Sequence, residues 1–169
     1  MEVIAAIHSR RSIRKYTEKK VSAEQVEMLI NAAMSAPSAM NYQPWHFIVF
    51  NEDKSLNEIA ATIPHAEMVK SAPLAILICG DTKLDSTIEY IVQDCSAAIQ
   101  NMLLAAHSLG LGACWIAVYP IKDIMENVRN YLRLPDNIIP VSLISIGYPA
   151  EELPVENRFN PERIRFNRW

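Results

Sequence analysis

Residues 88–109 keep apolar side chains at spacings of three and four over about six turns, and this run constrains the fold more than any other feature. Ile88, Ile91, Val92, Cys95, Ala98, Ile99, Met102, Ala106 and Leu109 form one stripe, and Gly110 supplies the stop. At 1.5 Å per residue such a helix is about 33 Å long, the span of a small domain. Ala97, Leu104 and Ala105 make a second face apolar too. A helix apolar on more than one side is central in its fold, at a subunit interface, or both.

The other elements are arranged around it. A chain of 169 residues, half of them hydrophobic, reads as one domain over 1–169 that buries roughly 70% of its unfolded surface. Met1 to His8 predicts a short helix. Ser22-Ala23-Glu24-Gln25 has capping-box spacing, with Val26, Leu29, Ile30 and Ala33 following at helical intervals up to Pro37. Ser55 to Glu58 repeats that spacing and predicts a helix through Leu56, Ile59 and Ile63. Strands are expected at 46–50, 73–79, 113–118 and 141–146, with a helix over 122–132. The tail 148–169 has little periodicity and reads as extended; it must dock somewhere to bury Phe159, Phe166 and Trp169.

Charge narrows the function. A formal net charge of -3 and a pI near 5.8 argue against a general nucleic-acid binder. Both ends are nevertheless cationic. Residues 8–20 set six Arg and Lys against Glu18, and residues 156–169 set four Arg against two Glu. Two solvated tails, or one anion site assembled from both ends, fit that pattern equally. Cys79, Cys95 and Cys114 are odd in number, widely spaced and in apolar surroundings, so neither disulfides nor a C-x-x-C metal site is expected. Free buried thiols imply a reducing, cytoplasmic location. The short apolar start gives no expectation of a signal peptide, and no run is long enough for a membrane span.

Arg10, Arg11, Ser12 and Arg14 place three guanidiniums and a hydroxyl within five residues. Arg presents a fixed fork of donors that matches phosphate oxygens, although a solvated basic turn would look the same. With only four glycines the chain has no Gly-rich phosphate cradle, so a phosphate would be held by side chains. The Pro-bounded stretch 37–45 offers Ser38, Asn41 and Gln43 to a polyol or amide-rich ring, or is an ordinary helix-to-strand connection. His8, His46, His65 and His107 are scattered, and no nucleophile elbow or paired carboxylates appear. Such an inventory makes most sense if a cofactor carries the chemistry.

The order of these segments resembles the nitroreductase family of FMN-dependent oxidoreductases. Arg10-Arg11-Ser12-Ile13-Arg14, then Pro37-Ser38-Ala39-x-Asn41-x-Gln43-Pro44-Trp45, then Gly110-Leu111-Gly112-Ala113-Cys114-Trp115 and an Arg-rich tail follow in the family's sequence. The resemblance implies an α+β fold with a mixed, mostly antiparallel central sheet flanked by helices, an extended C-terminal tail and an intertwined homodimer. It implies FMN, with NADH or NADPH as co-substrate, and ping-pong hydride transfer to a small electron-poor acceptor such as a nitroaromatic or quinone. An FMN-binding module without turnover is the alternative. Arg10, Arg11, Ser12, Arg14 and Arg158 look like the phosphate site. Pro37, Ser38, Ala39 and Asn41, with Gln43 near them, look like the segment that reaches flavin from the other subunit. Ala117 and Val118 fall where many members place Glu-Gly against the flavin, and Pro64 and Glu67 where larger members carry polar contacts. No residue is expected to be catalytic, and no metal, nucleic acid or membrane partner is implied.

Overall fold

The computed structural model describes residues 1–169. It runs α1 (Val3–Ser9), α2 (Ala23–Met34), β1 (Trp45–Phe50), α3 (Asp53–Thr62), β2 (Leu74–Asp81), α4 (Ile88–Ser108), β3 (Gly112–Ala117), α5 (Lys122–Leu132) and β4 (Ile138–Gly147). Short 3-10 turns lie at Ala39–Asn41, Glu67–Ser71 and Pro161–Arg163. The strands make one antiparallel sheet in the order β1-β2-β4-β3. Its parallel component is a single bridge between Ser12 and Ala113. The fold is α+β with a mostly antiparallel sheet, as the sequence leads one to expect.

Strand β2 shows why this sheet lies between two layers. Side chains alternate between faces of a strand, and both sets in β2 are apolar. Leu74, Ile76 and Ile78 join Leu29 and Ala33 of α2 and Ile91, Cys95 and Ile99 of α4 in one core. Ala75, Leu77 and Cys79 join Leu56 and Ile59 of α3 and Ile124 and Val128 of α5 in a second core on the other face. Each fully buried Leu or Ile contributes roughly 1.5–3 kcal/mol relative to exposure. No helix is long and apolar enough to cross a membrane. The three cysteines are buried and unbridged, with burial pushing the Cys79 and Cys95 thiols up to about 12.

Local chemistry explains most boundaries. The capping box of α2 is formed in full, Ser22 accepting from the Gln25 N–H and Gln25 returning a side-chain bond to Ser22. The second expected box fails. Helix α3 already begins at Asp53, and Ser55 Oγ donates back to the Glu52 carbonyl at 2.9 Å, so it lies inside the first turn. A hydroxyl three residues into a helix finds a nearby carbonyl as readily as a helix start finds a hydroxyl. Strand β4 begins three residues earlier than expected because a register shift, where Cys79 faces Pro140, admits the proline to a central strand. The tail is extended, but it does not bury its aromatics on its own chain: Phe159, Phe166 and Trp169 are 73%, 83% and 100% exposed.

Candidate functional site

Residues 10–14 become a site because α1 stops. Arg10 leaves the helix with an extended backbone, and Ile13 N–H donates to the Ala113 carbonyl at 3.1 Å, laying the segment along the edge of β3. Ile13 turns inward and is buried. It fits only because residue 112 is glycine, since a Cβ there would sit 2.6 Å from Ile13 Cβ. Alternation in an extended segment puts Arg10, Ser12 and Arg14 on the face opposite Ile13. Burial raises the Cys114 pKa while the charges of Arg14 and Arg10 oppose it, and Arg14 shares a cavity with that residue.

These cations are not neutralised by the chain. Burial holds Arg10 below its ordinary pKa, and the charges of Arg158 and Arg11 depress it further. None of the five ion pairs of the chain involves Arg10 or Arg14. Arg158 is paired with Glu156 at 3.1 Å, and it shares a cavity of about 330 Å³ with Arg10 and Arg11. Arg11 is occupied differently. Its Nε donates to the Pro154 carbonyl and its Nη1 to the His8 and Arg10 carbonyls, while Nη2 is buried without a partner. It ties the start of the tail to the end of α1.

Arg14 also borders a second cavity of about 310 Å³, walled by His65, Met68, Trp115, Ala117 and Ile121 among others and mostly apolar. Ala117 is therefore at the cavity, whereas the Val118 side chain is fully buried in the core on the other face of the sheet. Glu67 is turned to Lys70, 2.9 Å away, and does not line this space. His65, Met68 and Trp115 escaped sequence reasoning. Alternation in Ala113–Val118 could have set Trp115 beside Ala117. Nothing local announced His65, held at φ 69 between α3 and β2. The indole N–H of Trp115 donates to Ser142 Oγ at 2.7 Å, which fixes one wall.

The polar loop lies elsewhere. Ser38 Oγ accepts from the Gln43 N–H at 2.9 Å, and Gln43 Nε2 donates to Asn41 Oδ1 at 3.0 Å. The Ala39 N–H is shared by both Asp94 oxygens, each 3.1 Å away. Within one chain, Pro37, Ser38, Ala39, Asn41 and Gln43 line neither arginine cavity.

One close pair has the look of a nucleophile. Ser9 Oγ and His107 Nε2 are 2.7 Å apart, but the hydroxyl also donates to the Ala5 carbonyl at 2.7 Å. Its single proton is spent there, so the imidazole donates to Ser9 and cannot act as its base. Burial, Arg10 and Arg11 lower the His107 pKa, which favours that neutral donor form.

A model of the Nitroreductase family matches residues 7–67 and 64–148 of this chain. A Methanothermobacter thermautotrophicus protein, provisionally named NADH dehydrogenase/NAD(P)H nitroreductase, is 47% identical over 169 residues, covering all of this chain and 88% of the relative. An FMN-dependent nitroreductase from Clostridium difficile has a similar structure, with a TM-score of 0.91 and 31% identity, covering 98% of this chain and 99% of the other. A Desulfovibrio desulfuricans protein, provisionally named a nitroreductase and solved in complex with FMN, aligns with a TM-score of 0.87 and 32% identity, covering 100% and 98%.

Proposed function

The chain belongs to the nitroreductase family, and from that premise we propose that it is an FMN-dependent NAD(P)H oxidoreductase acting as a homodimer. One observation carries the reading: Arg14, whose guanidinium has no carboxylate partner, borders a mostly apolar cavity, while Arg10, equally unpaired, lines a neighbouring cavity with Arg11 and Arg158. The residues present fit FMN. Arg10, Ser12 and Arg14 supply charged and neutral donors on one face, suited to the ribityl phosphate, each charged bond worth roughly 1.5–3 kcal/mol. Arg158, beside Arg10, brings a further cation from the tail. Met68, Trp115 and Ile121 offer apolar surface to a ring and keep water from one side of it.

Bound FMN would supply two-electron chemistry, with hydride accepted from NADH or NADPH and then passed to an electron-poor acceptor in the same place. This chain's residues bind, orient and shield; no histidine is required to move a proton. Ala117 leaves the cavity edge uncharged.

The second copy is supported by what one chain leaves uncovered. Phe159, Phe166 and Trp169 are exposed on the tail, and so are Val3, Ile4 and Ile7 on α1. Apolar surface of this kind marks an interface. A partner's tail and its 37–43 loop would cover it and complete each site.

The absorption spectrum of purified or FMN-reconstituted protein tests binding, and NAD(P)H oxidation with a quinone or nitroaromatic acceptor tests turnover. Yellow protein with turnover is expected. Yellow protein without turnover leaves an FMN-binding module, and protein that cannot be loaded with FMN refutes the reading.

A further inference from the structure

The chain buries two carboxylates, Asp85 and Asp94, and the proposed mechanism uses neither. Asp94 lies on α4 and is 7% exposed. The donor it bonds is one neutral amide, the Ala39 N–H, shared between its two oxygens. One shared amide compensates a buried charge poorly. Burial accordingly raises the Asp94 pKa; the Ala39 bond opposes that, and the charge of Asp85 adds to it. An uncharged residue would serve the core better, so the carboxylate is explained by what it holds.

What it holds is strained. Met40, Asn41 and Gln43 have φ of 49°, 58° and 51°, a left-handed path that glycine adopts freely and Met and Gln do not. The remaining bonds of residues 37–43 are made within the loop itself. Asp94 is the group outside the loop that bonds it, at Ala39, the residue just before the left-handed Met40 and Asn41. Strain of this kind persists where surrounding structure over-determines it, and it clusters at functional sites.

We propose that Asp94 is a positioning residue, holding the 37–43 loop in its left-handed path and thereby setting the FMN affinity of the site that the loop serves. This rests on the reading that the loop contributes to FMN binding. The loop's side chains Met40, Asn41 and Gln43 are exposed, so they are free to meet a ligand while Asp94 stays behind the backbone.

A residue with a merely structural role would lower stability and affinity together. Asp94 should separate them. Asp94→Leu removes a poorly compensated buried charge and also the anchor, so the apoprotein melts no lower than wild type while FMN dissociation rises at least about tenfold. In the same variant, hydrogen exchange at Ala39–Tyr42 accelerates at least about tenfold, for the same lost bond. Asp94→Asn keeps an acceptor for the Ala39 N–H and should hold FMN within about threefold of wild type, melting at or above it. Asp94→Ala, which also lacks an acceptor, replaces it for the exchange and FMN measurements where leucine does not fold. The measurements are exchange by mass spectrometry, melting of the apoproteins and FMN fluorescence quenching. Unchanged exchange in Asp94→Leu, unchanged FMN affinity, an affinity loss matched by a fall in melting, or an Asp94→Asn variant as impaired as Asp94→Leu each overturn the proposal. Wild-type protein that binds no FMN breaks the functional reading instead, and leaves the exchange comparison standing as the test of the anchor.

Discussion

Two arginine-rich segments of this chain meet opposite treatment. Residues 10–14 are bridged to the edge of β3, with Ile13 buried and Arg10 half-buried among other cations. Residues 163–168 carry as many arginines, yet they are exposed throughout, and Arg165 bonds only nearby carbonyls. The difference is in the anchoring. A guanidinium becomes a binding group when its backbone is fixed and its charge is left unanswered; on a free segment it is a solvated charge. In the proposed homodimer the second chain would give the tail its surface.

The largest effect is expected from removing residues 156–169. If the tail docks on a partner, the shortened chain sediments as a monomer and loses FMN, since apolar interface and site disappear together. A dimer that survives, still flavin-loaded, ends the idea that the tail is the joining element. Next comes Gly112→Val. Its side chain would collide with Ile13 and push residues 10–14 off the sheet edge, costing about 3 kcal/mol in denaturant unfolding and most of the FMN affinity. Wild-type stability in that variant would show that the anchored segment is not anchored there.

Arg14→Ala is expected to weaken FMN binding about 10- to 100-fold, from the loss of one charged bond of roughly 1.5–3 kcal/mol. Arg168→Ala, on the free segment, is expected to leave dissociation within about twofold. Equal effects would erase the contrast between the segments. The smallest effect concerns His107, whose pKa is held below the ordinary 6.5 by burial and by Arg10 and Arg11. The folded state prefers the neutral ring, so its contribution is present above about 6.5 and is lost as pH falls through that value. Urea unfolding at pH 7.5 and 5.5 should show wild type losing more stability than His107→Gln. Identical losses would mean that the arginines do not reach this imidazole.

The sheet, the helices and their order were legible in the sequence because alternation and three-four spacing are local signals of burial, and β2 and α4 carry them strongly. The start of α3 was not, since Ser55 can bond a carbonyl inside a turn as well as an amide at its start. Among candidate site residues, the pattern Arg10-x-Ser12-x-Arg14 announced chemistry, but only the pairing of Ile13 with Ala113 shows which side chains share a face and that Arg11 does not join them. His65 and Asp94 are invisible to any motif. Each meets neighbours distant along the chain, His65 sharing a cavity with Trp115 and Asp94 meeting Ala39 across 55 residues. The sequence by itself determined which segments bury and which residue types are available for an anion. Tertiary structure alone decided which of those charges stand together unpaired, because proximity between distant segments is set by packing and leaves no local trace.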